Sequence, residues 1–198
     1  MVRLAVIGCG RWGPNHIRNF LGLPGTQVVA AVDPDQAQRQ RISEMFPGLA
    51  LPSDPAVVFK DHSIDAVVVS TPTGTHYAIV KAALAAGKHV LCEKPLCESS
   101  RQALELAALA KKKGLILMVG HVFLFNGGVI ELKRLISGGE LGKLHYLSAV
   151  RTNLGPIRSD VNAAYDLAAH DISVFNWLLG SQPDWVSATG GPFLQKGI

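Results

Sequence analysis

Short apolar runs alternate with longer mixed stretches along residues 1–120. Val2–Ile7 comes first, and further runs lie within residues 27–32, 65–70, 88–92 and 115–120. Strands this continuously apolar are buried on both faces, as in a parallel sheet. The stretches between them predict helices over residues 12–21, 35–45, 75–86 and 99–113. Pro34 stands at the tolerated opening of the second helix, and Gly87 and Gly114 end the last two. A short element near Ala50 and a small helix after Asp54 complete the series. Repeated strand–helix units joined by right-handed crossovers form a doubly wound parallel sheet with helices on both faces.

The pattern changes after Gly120. A helix is predicted over residues 127–136, followed by the turn Ser137-Gly138-Gly139. Residues 143–151 alternate with a period of two, which predicts an antiparallel strand with one covered face. A polar loop leads to a helix over residues 164–179 and another strand over 184–189, with a further strand around Val122. The expected fold is therefore α/β: a Rossmann doubly wound parallel sheet over residues 1–120, then a partial α+β domain with an antiparallel sheet over residues 121–198.

Candidate chemistry sits where strands end. The first strand runs into Gly8-Cys-Gly10-Arg11-Trp12-Gly13-Pro-Asn-His16, a G-x-G-x-x-G loop between a strand and a helix. Gly8 permits the sharp turn, Gly10 leaves room for a pyrophosphate, and Gly13 lets the helix pack close. Helix-start N–H groups then face the phosphates. The next strand closes with Asp33, about 20 residues on, where a carboxylate accepts from an adenosine ribose hydroxyl and disfavours a 2′-phosphate. This points to dinucleotide binding with NAD preferred over NADP. Arg39 and Arg41 on the following helix weaken that preference slightly. Trp12 covers the loop or packs on the sheet.

Composition adds limits. Hydrophobic residues make up 48% of the 198 and charged residues 17%, which suits a packed core and not a disordered chain. The net charge is +4, with 19 basic and 15 acidic residues. The basic residues are scattered apart from Lys111-Lys112-Lys113 at a helix end, so no nucleic-acid partner is expected. A mild positive balance attracts an anionic substrate. Cys9, Cys92 and Cys97 have neither metal spacing nor a disulfide framework, which suits a reducing cytoplasm. No metal is expected. No stretch approaches the ~20 apolar residues of a membrane span, so no membrane partner is expected either.

Three more clusters follow: Ser70-Thr71-Pro72-Thr-Gly-Thr-His76, Glu93-Lys94-Pro95, and Tyr165-Asp166-Leu-Ala-Ala-His170-Asp171. Asp166 and His170 are four apart, on one face of the predicted helix. With the glycine loop, these motifs resemble the Gfo/Idh/MocA oxidoreductase family over nearly the whole chain. The stretches Gly8-Cys-Gly-Arg-Trp-Gly-Pro-Asn-His16, Gly120-His-Val-Phe-Leu-Phe-Asn126 and Arg151-Thr-Asn-Leu-Gly155 look like its UDP-N-acetylglucosaminuronate 3-dehydrogenase branch.

The resemblance implies an NAD-binding Rossmann domain over residues 1–120 and a partial substrate-binding and oligomerisation domain over 121–198. Lys94 would reach the reacting carbon, Glu93 the nicotinamide-side ribose, and Pro95 would fix the turn, often through a cis bond. His170 would act with Lys94 in acid–base work, and Asp166 would bind substrate or orient the pair. Carbinol oxidation needs such a base, since it releases a hydride to the cofactor and a proton. The cofactor set is Gly8, Gly10, Arg11, Trp12, Gly13, Asp33, Thr71, Pro72, His76, Glu93 and Lys94. The substrate set is Lys94, Arg151, Asn153, Asn162, Tyr165, Asp166 and His170. His16, His62, His89 and His145 read as structural or exposed. The expected protein is a cytoplasmic homo-oligomer that oxidises a secondary hydroxyl of a nucleotide-linked sugar. Two alternatives remain: a same-fold dehydrogenase of a free sugar or inositol, and an NAD-binding protein without turnover. Family chains usually exceed 300 residues with a broad antiparallel second sheet, and this chain stops inside that part, so it reads as C-terminally shortened.

Overall fold

In the computed structural model, which describes residues 1–152 and 161–191, five strands form one parallel sheet in the order β2-β1-β3-β4-β5. They are β1 (Val2–Ile7), β2 (Thr26–Val32), β3 (Ala66–Val69), β4 (His89–Cys92) and β5 (Leu117–Val119). On the outer edge of the sheet, Ala30 of β2 forms a single parallel bridge with Ala50, and the Ala31 N–H donates to the Ala50 carbonyl at 2.9 Å. The chain thus builds outward from β1 to β2 and Ala50, then returns to build β3, β4 and β5 on the other side. That reversal makes a topological switch point between β1 and β3.

Five helices connect the strands: α1 (Gly13–Leu21), α2 (Gln36–Met45), α3 (Ala56–Lys60), α4 (Thr73–Ala85) and α5 (Ser100–Lys113). Asp35 caps α2 by accepting from the Ala37 N–H at 2.8 Å, so Pro34 lies before the cap rather than in the first turn. Ser99 caps α5 in the same way, through the Gln102 N–H at 3.3 Å. Gly114 closes α5 in the left-handed conformation, φ +66°.

Successive residues of β1 face opposite sides of the sheet. Leu4 and Val6 pack with Ile17 of α1 and Ile42 of α2. Ala5 and Ile7 pack with Val80 and Leu84 of α4 and Leu106 of α5. Both faces are therefore covered, which is why the strand reads as one apolar run. Each buried Leu, Ile or Val contributes roughly 1.5–3 kcal/mol. This first compact unit is Met1–Gly120, and the second is His121–Ile198.

The second unit contains a 3₁₀ turn at Val122–Phe125, α6 (Gly127–Ser137), a π turn at Ala164–Ala168 and α7 (Ala169–Leu179). Asn126 caps α6 through the Gly128 and Val129 N–H groups at 2.9 and 3.3 Å. Lys133 of α6 donates to the Leu178 carbonyl at 3.0 Å, where a cation suits the end of α7.

Several expectations for this unit fail. The strand expected around Val122 is the 3₁₀ turn. Residues 143–151 and 184–189 form no strand, so the antiparallel sheet is not formed among the described residues. Tyr146 and Trp185, which the alternation would have covered, are 82% and 80% exposed. Alternation becomes a strand only when a neighbour pairs its backbone groups and a second layer covers its apolar face. The described residues supply neither. The helix expected over 164–179 is regular only from Ala169. Its first turn is widened, with the Ala169 N–H donating to Ala164, five residues back.

Candidate cofactor cleft and acid–base cluster

Because the sheet is parallel, all its carboxyl ends share one edge. The ladder continues one residue past the strands. The N–H groups of Gly8, Ser70, Glu93 and Gly120 donate to Val32, Ile7, Val69 and Cys92, each at 2.8 Å. These four residues therefore stand in a row, and the candidate chemistry of the first unit grows from that row.

The glycine loop is a shaped opening. Gly8 has φ +99°, and a Cβ there would lie 2.7 Å from the Ser70 carbonyl. A Cβ at Gly13 would lie 2.2 Å from the Gly8 oxygen. A Cβ at Gly10 would meet nothing within 4 Å. Two glycines thus let the chain close on itself, while the third faces open space at the start of α1. That combination fits a pyrophosphate held by helix-start N–H groups. Arg11 and Trp12 are exposed beside it. Trp12 is 51% exposed and belongs to the loop's outer side, not to the sheet packing.

Asp33 accepts from the Cys9 N–H at 2.8 Å and from the Asp35 N–H at 2.9 Å. A carboxylate offers about four acceptor positions, so room remains for ribose hydroxyls. Arg39 donates to the Asp33 and Pro34 carbonyls, both at 2.8 Å. Arg41 donates to the Cys9 and Gly10 carbonyls at 2.7 and 3.0 Å. Both guanidiniums thus brace the rim of the opening through backbone oxygens. Burial, and then the Asp33 charge, push the Cys9 thiol up to about 12 against the pull of Arg41 and Arg39, which leaves it inert as a nucleophile.

Thr71 and Pro72 lead into α4 from the β3 end of the row. His76 is 1% exposed and stands behind that turn. Its Nδ1 lies 2.9 Å from the Pro95 carbonyl and its Nε2 lies 2.8 Å from the Thr71 carbonyl. It braces two turns together from the inside rather than presenting a face to the opening.

The β4 end carries Glu93, Lys94 and Pro95, with the Lys94–Pro95 bond cis. His16 Nε2, in the first turns of α1, lies 2.9 Å from Glu93 Oε1. The Lys94 N–H donates to Glu93 Oε2 at 3.3 Å. Burial raises the Glu93 carboxyl. The His16 hydrogen bond and charge, with the Lys94 N–H and charge, outweigh it and hold the group below its ordinary value. Lys94 is half-buried. Sequence reading took His16 as structural or exposed and did not foresee its partner, 77 residues away. Its place three residues after Gly13, where the helix start faces the opening, was the available signal.

A second cluster lies within His121–Ile198. Arg151 binds Asp171 through two bonds of 2.7 and 2.9 Å. Its guanidinium lies 4.9 Å from the Phe123 ring centre. Phe123 meets the His170 ring edge-on at 4.7 Å. Asn162 Oδ1 accepts from the Tyr165 N–H at 3.0 Å, and its carbonyl accepts from the Asp166 N–H at 2.9 Å. Asn162 thus shapes the widened turn that carries Tyr165 and Asp166. Asn153 lies outside the described residues. Asp171 and Phe123, which organise Arg151 and His170, were not foreseen, although Asp171 adjoins His170 in the motif. Among the described residues, no group of three or more His, Cys, Asp or Glu side chains is arranged to hold a metal. None of their helices is long and apolar enough to cross a membrane.

Residues 2–121 match the family model described as an oxidoreductase family with an NAD-binding Rossmann fold. The chain belongs to the Gfo/Idh/MocA family. Residues 129–197 match the family's C-terminal domain. Inositol 2-dehydrogenase 2 of Saccharopolyspora erythraea is 33% identical over 91% of this chain and 55% of its own length. The scyllo-inositol 2-dehydrogenase (NAD(+)) of Bacillus subtilis is 31% identical over 98% of this chain and 60% of its own. Among solved structures, GenD2 from gentamicin A biosynthesis, in complex with NAD, gives a TM-score of 0.80 at 28% identity. That match covers 90% of this chain and 54% of GenD2. The chain spans a little over half the length of these relatives. The NAD-binding Rossmann match, residues 2–121, thus covers the first compact unit almost entirely. The two enzyme relatives are named for inositols, not for the sugar nucleotide that the short stretches resembled.

Proposed function

We propose that this chain carries the NAD-dependent oxidation of a ring secondary hydroxyl to a ketone, on a neutral polyol of the inositol type. The observation that carries this reading is Glu93-Lys94-Pro95 standing in the same edge row as the glycine loop. Gly8, Gly10 and Gly13 cradle the pyrophosphate, and Asp33 holds the adenosine ribose. Thr71 and Pro72 form the cofactor wall between them, with His76 behind. Glu93 receives the nicotinamide-side ribose. NAD, when bound, supplies the hydride acceptor. Lys94 takes or relays the carbinol's hydroxyl proton, and the family resemblance assigns acid–base work to His170 and a substrate or orienting role to Asp166 in the second unit. Tyr165 and Asn162 shape the substrate side.

The pairing of Arg151 supports a neutral substrate. Its guanidinium is already neutralised by two short bonds to Asp171. A charged phosphate would have to compete with that carboxylate, whereas a neutral polyol needs no free cation. The names of the inositol relatives support the same class. The nucleotide-sugar reading rests on the stretches 8–16, 120–126 and 151–155, with the net charge of +4 as a minor support. Three unpaired, buried cysteines suit a reducing cytoplasm. The homo-oligomeric state is part of the same proposal.

The test is NADH formation by the 198-residue chain with myo-inositol, scyllo-inositol, glucose and UDP-N-acetylglucosaminuronate. Turnover of an inositol above the others is the expected result. Turnover confined to the UDP sugar overturns the substrate class. Tight NAD binding with no turnover on any substrate overturns the enzymatic reading for this chain.

A further inference from the structure

Glu93 is held from two sides before any cofactor arrives. His16 occupies Oε1 at 2.9 Å, and the Lys94 N–H occupies Oε2 at 3.3 Å. Both side chains of the His16–Glu93 pair are mostly buried, 17% and 14% exposed. On the Gly120 side there is no side chain, and a Cβ there would sit 3.5 Å from the Glu93 carboxylate. One lone pair of each oxygen is therefore committed, and the remaining pair on each oxygen is available to a vicinal diol. Without His16 the Glu93 side chain would sample several rotamers, and the cofactor would have to order it on binding.

The position of His16 adds a second consequence. It lies in α1, which begins at Gly13 of the glycine loop, whereas Glu93 follows β4. The pair therefore joins the element that takes the pyrophosphate to the carboxylate assigned to the nicotinamide-side ribose. We infer that His16 is a positioning residue that fixes the Glu93 carboxylate for that ribose, an assignment that rests on the Glu93 role proposed above. His16 acts through Glu93 and touches no reacting atom.

The inference is tested by calorimetric titration of the full chain with NAD, ADP-ribose and ADP. ADP contains the pyrophosphate and adenosine but lacks the second ribose. His16→Ala should weaken NAD and ADP-ribose by about threefold to tenfold, the size expected for one side chain ordered on binding. ADP affinity should stay within about twofold, because the glycine loop is untouched. His16→Gln, which restores an N–H donor, should recover most of the loss. His16→Asn, too short to reach Glu93, should behave like alanine and serves if the alanine variant fails to fold. Glu93→Ala should weaken the same two ligands, and adding His16→Ala to it should cost nothing more.

Equal weakening of all three ligands by His16→Ala would overturn the inference, since it marks damage to the glycine helix. Unchanged NAD affinity in that variant, with Glu93→Ala still impaired, overturns the His16 role alone. Unchanged NAD affinity in Glu93→Ala removes the Glu93 assignment, and the His16 role falls with it.

Discussion

Gly10→Ala separates the shape of the cofactor opening from the stability of the fold around it. A Cβ at Gly10 has no atom within 4 Å, and its backbone lies outside the left-handed region. The ligand-free protein accommodates alanine there, and the reduced freedom of the unfolded chain stabilises it by about 0.4–1 kcal/mol. For a unit the size of Met1–Gly120, roughly 0.25 kcal/mol moves Tm by one degree. The ligand-free Tm should therefore rise by about 2–4 °C. In the parent chain, NAD at about a hundred times its Kd adds about 2.7 kcal/mol, or roughly 11 °C. A methyl group in the pyrophosphate space should remove most of that rise. Gly13→Ala is the contrast, because its Cβ would fall 2.2 Å from the Gly8 oxygen. It should lower the ligand-free Tm, at about 1–3 kcal/mol for overpacking. Thermal unfolding followed by circular dichroism, with and without NAD, reads all three chains. A full NAD shift in Gly10→Ala would remove the pyrophosphate from this loop. A lowered ligand-free Tm in that variant would refute the open space itself.

Asp33→Ser should narrow the preference for NAD over NADP, because it removes both ribose hydrogen bonding and repulsion of a 2′-phosphate; parallel titrations at one salt concentration check it, and an unchanged ratio counts against Asp33. Lys94→Ala should lower kcat by roughly 10²–10⁴ while leaving NAD affinity nearly intact, and near-normal turnover would sink the proton role. The Glu93 carboxyl titrates below its ordinary 4.5 in the folded chain. Its contribution to stability is therefore fully present above about pH 4.5 and is lost as pH falls through the folded value. Denaturant unfolding of the parent and Glu93→Gln should differ at about pH 6, with the gap closing as pH falls through the folded value, and a gap unchanged on acidification contradicts the linkage.

The first unit was legible because its signals are local. A strand buried on both faces announces itself in its own residues, as Ala66–Val69 does, and the motifs sit where those strands end. The glycine spacing maps directly onto the close approaches at Gly8 and Gly13. The second unit was misread where the signal was conditional. Alternation over residues 143–151 says that one face is apolar, not that a partner strand exists to use it. Residues 164–168 have helix-compatible residues, but the five-residue bond at Ala164 depends on packing that periodicity does not encode. The His16–Glu93 pair was not foreseen because the sheet order, not sequence proximity, brings the start of α1 beside the end of β4. Arg151 was placed in the substrate set, and its pairing with Asp171, 20 residues downstream, was not foreseen.

The central claim is that NAD lies along the carboxyl edge of the sheet at the switch point between β1 and β3. Amide hydrogen exchange of the chain with and without NAD tests it most directly. The account predicts added protection from Gly8 to Gly13, at Asp33, across Thr71–Thr73 and at Glu93–Lys94, where the strand ends gather. It predicts little change at the opposite edge, at Arg3, Asp65 and Lys88. Protection confined to that opposite edge, or absent from the glycine loop at saturating NAD, would contradict it.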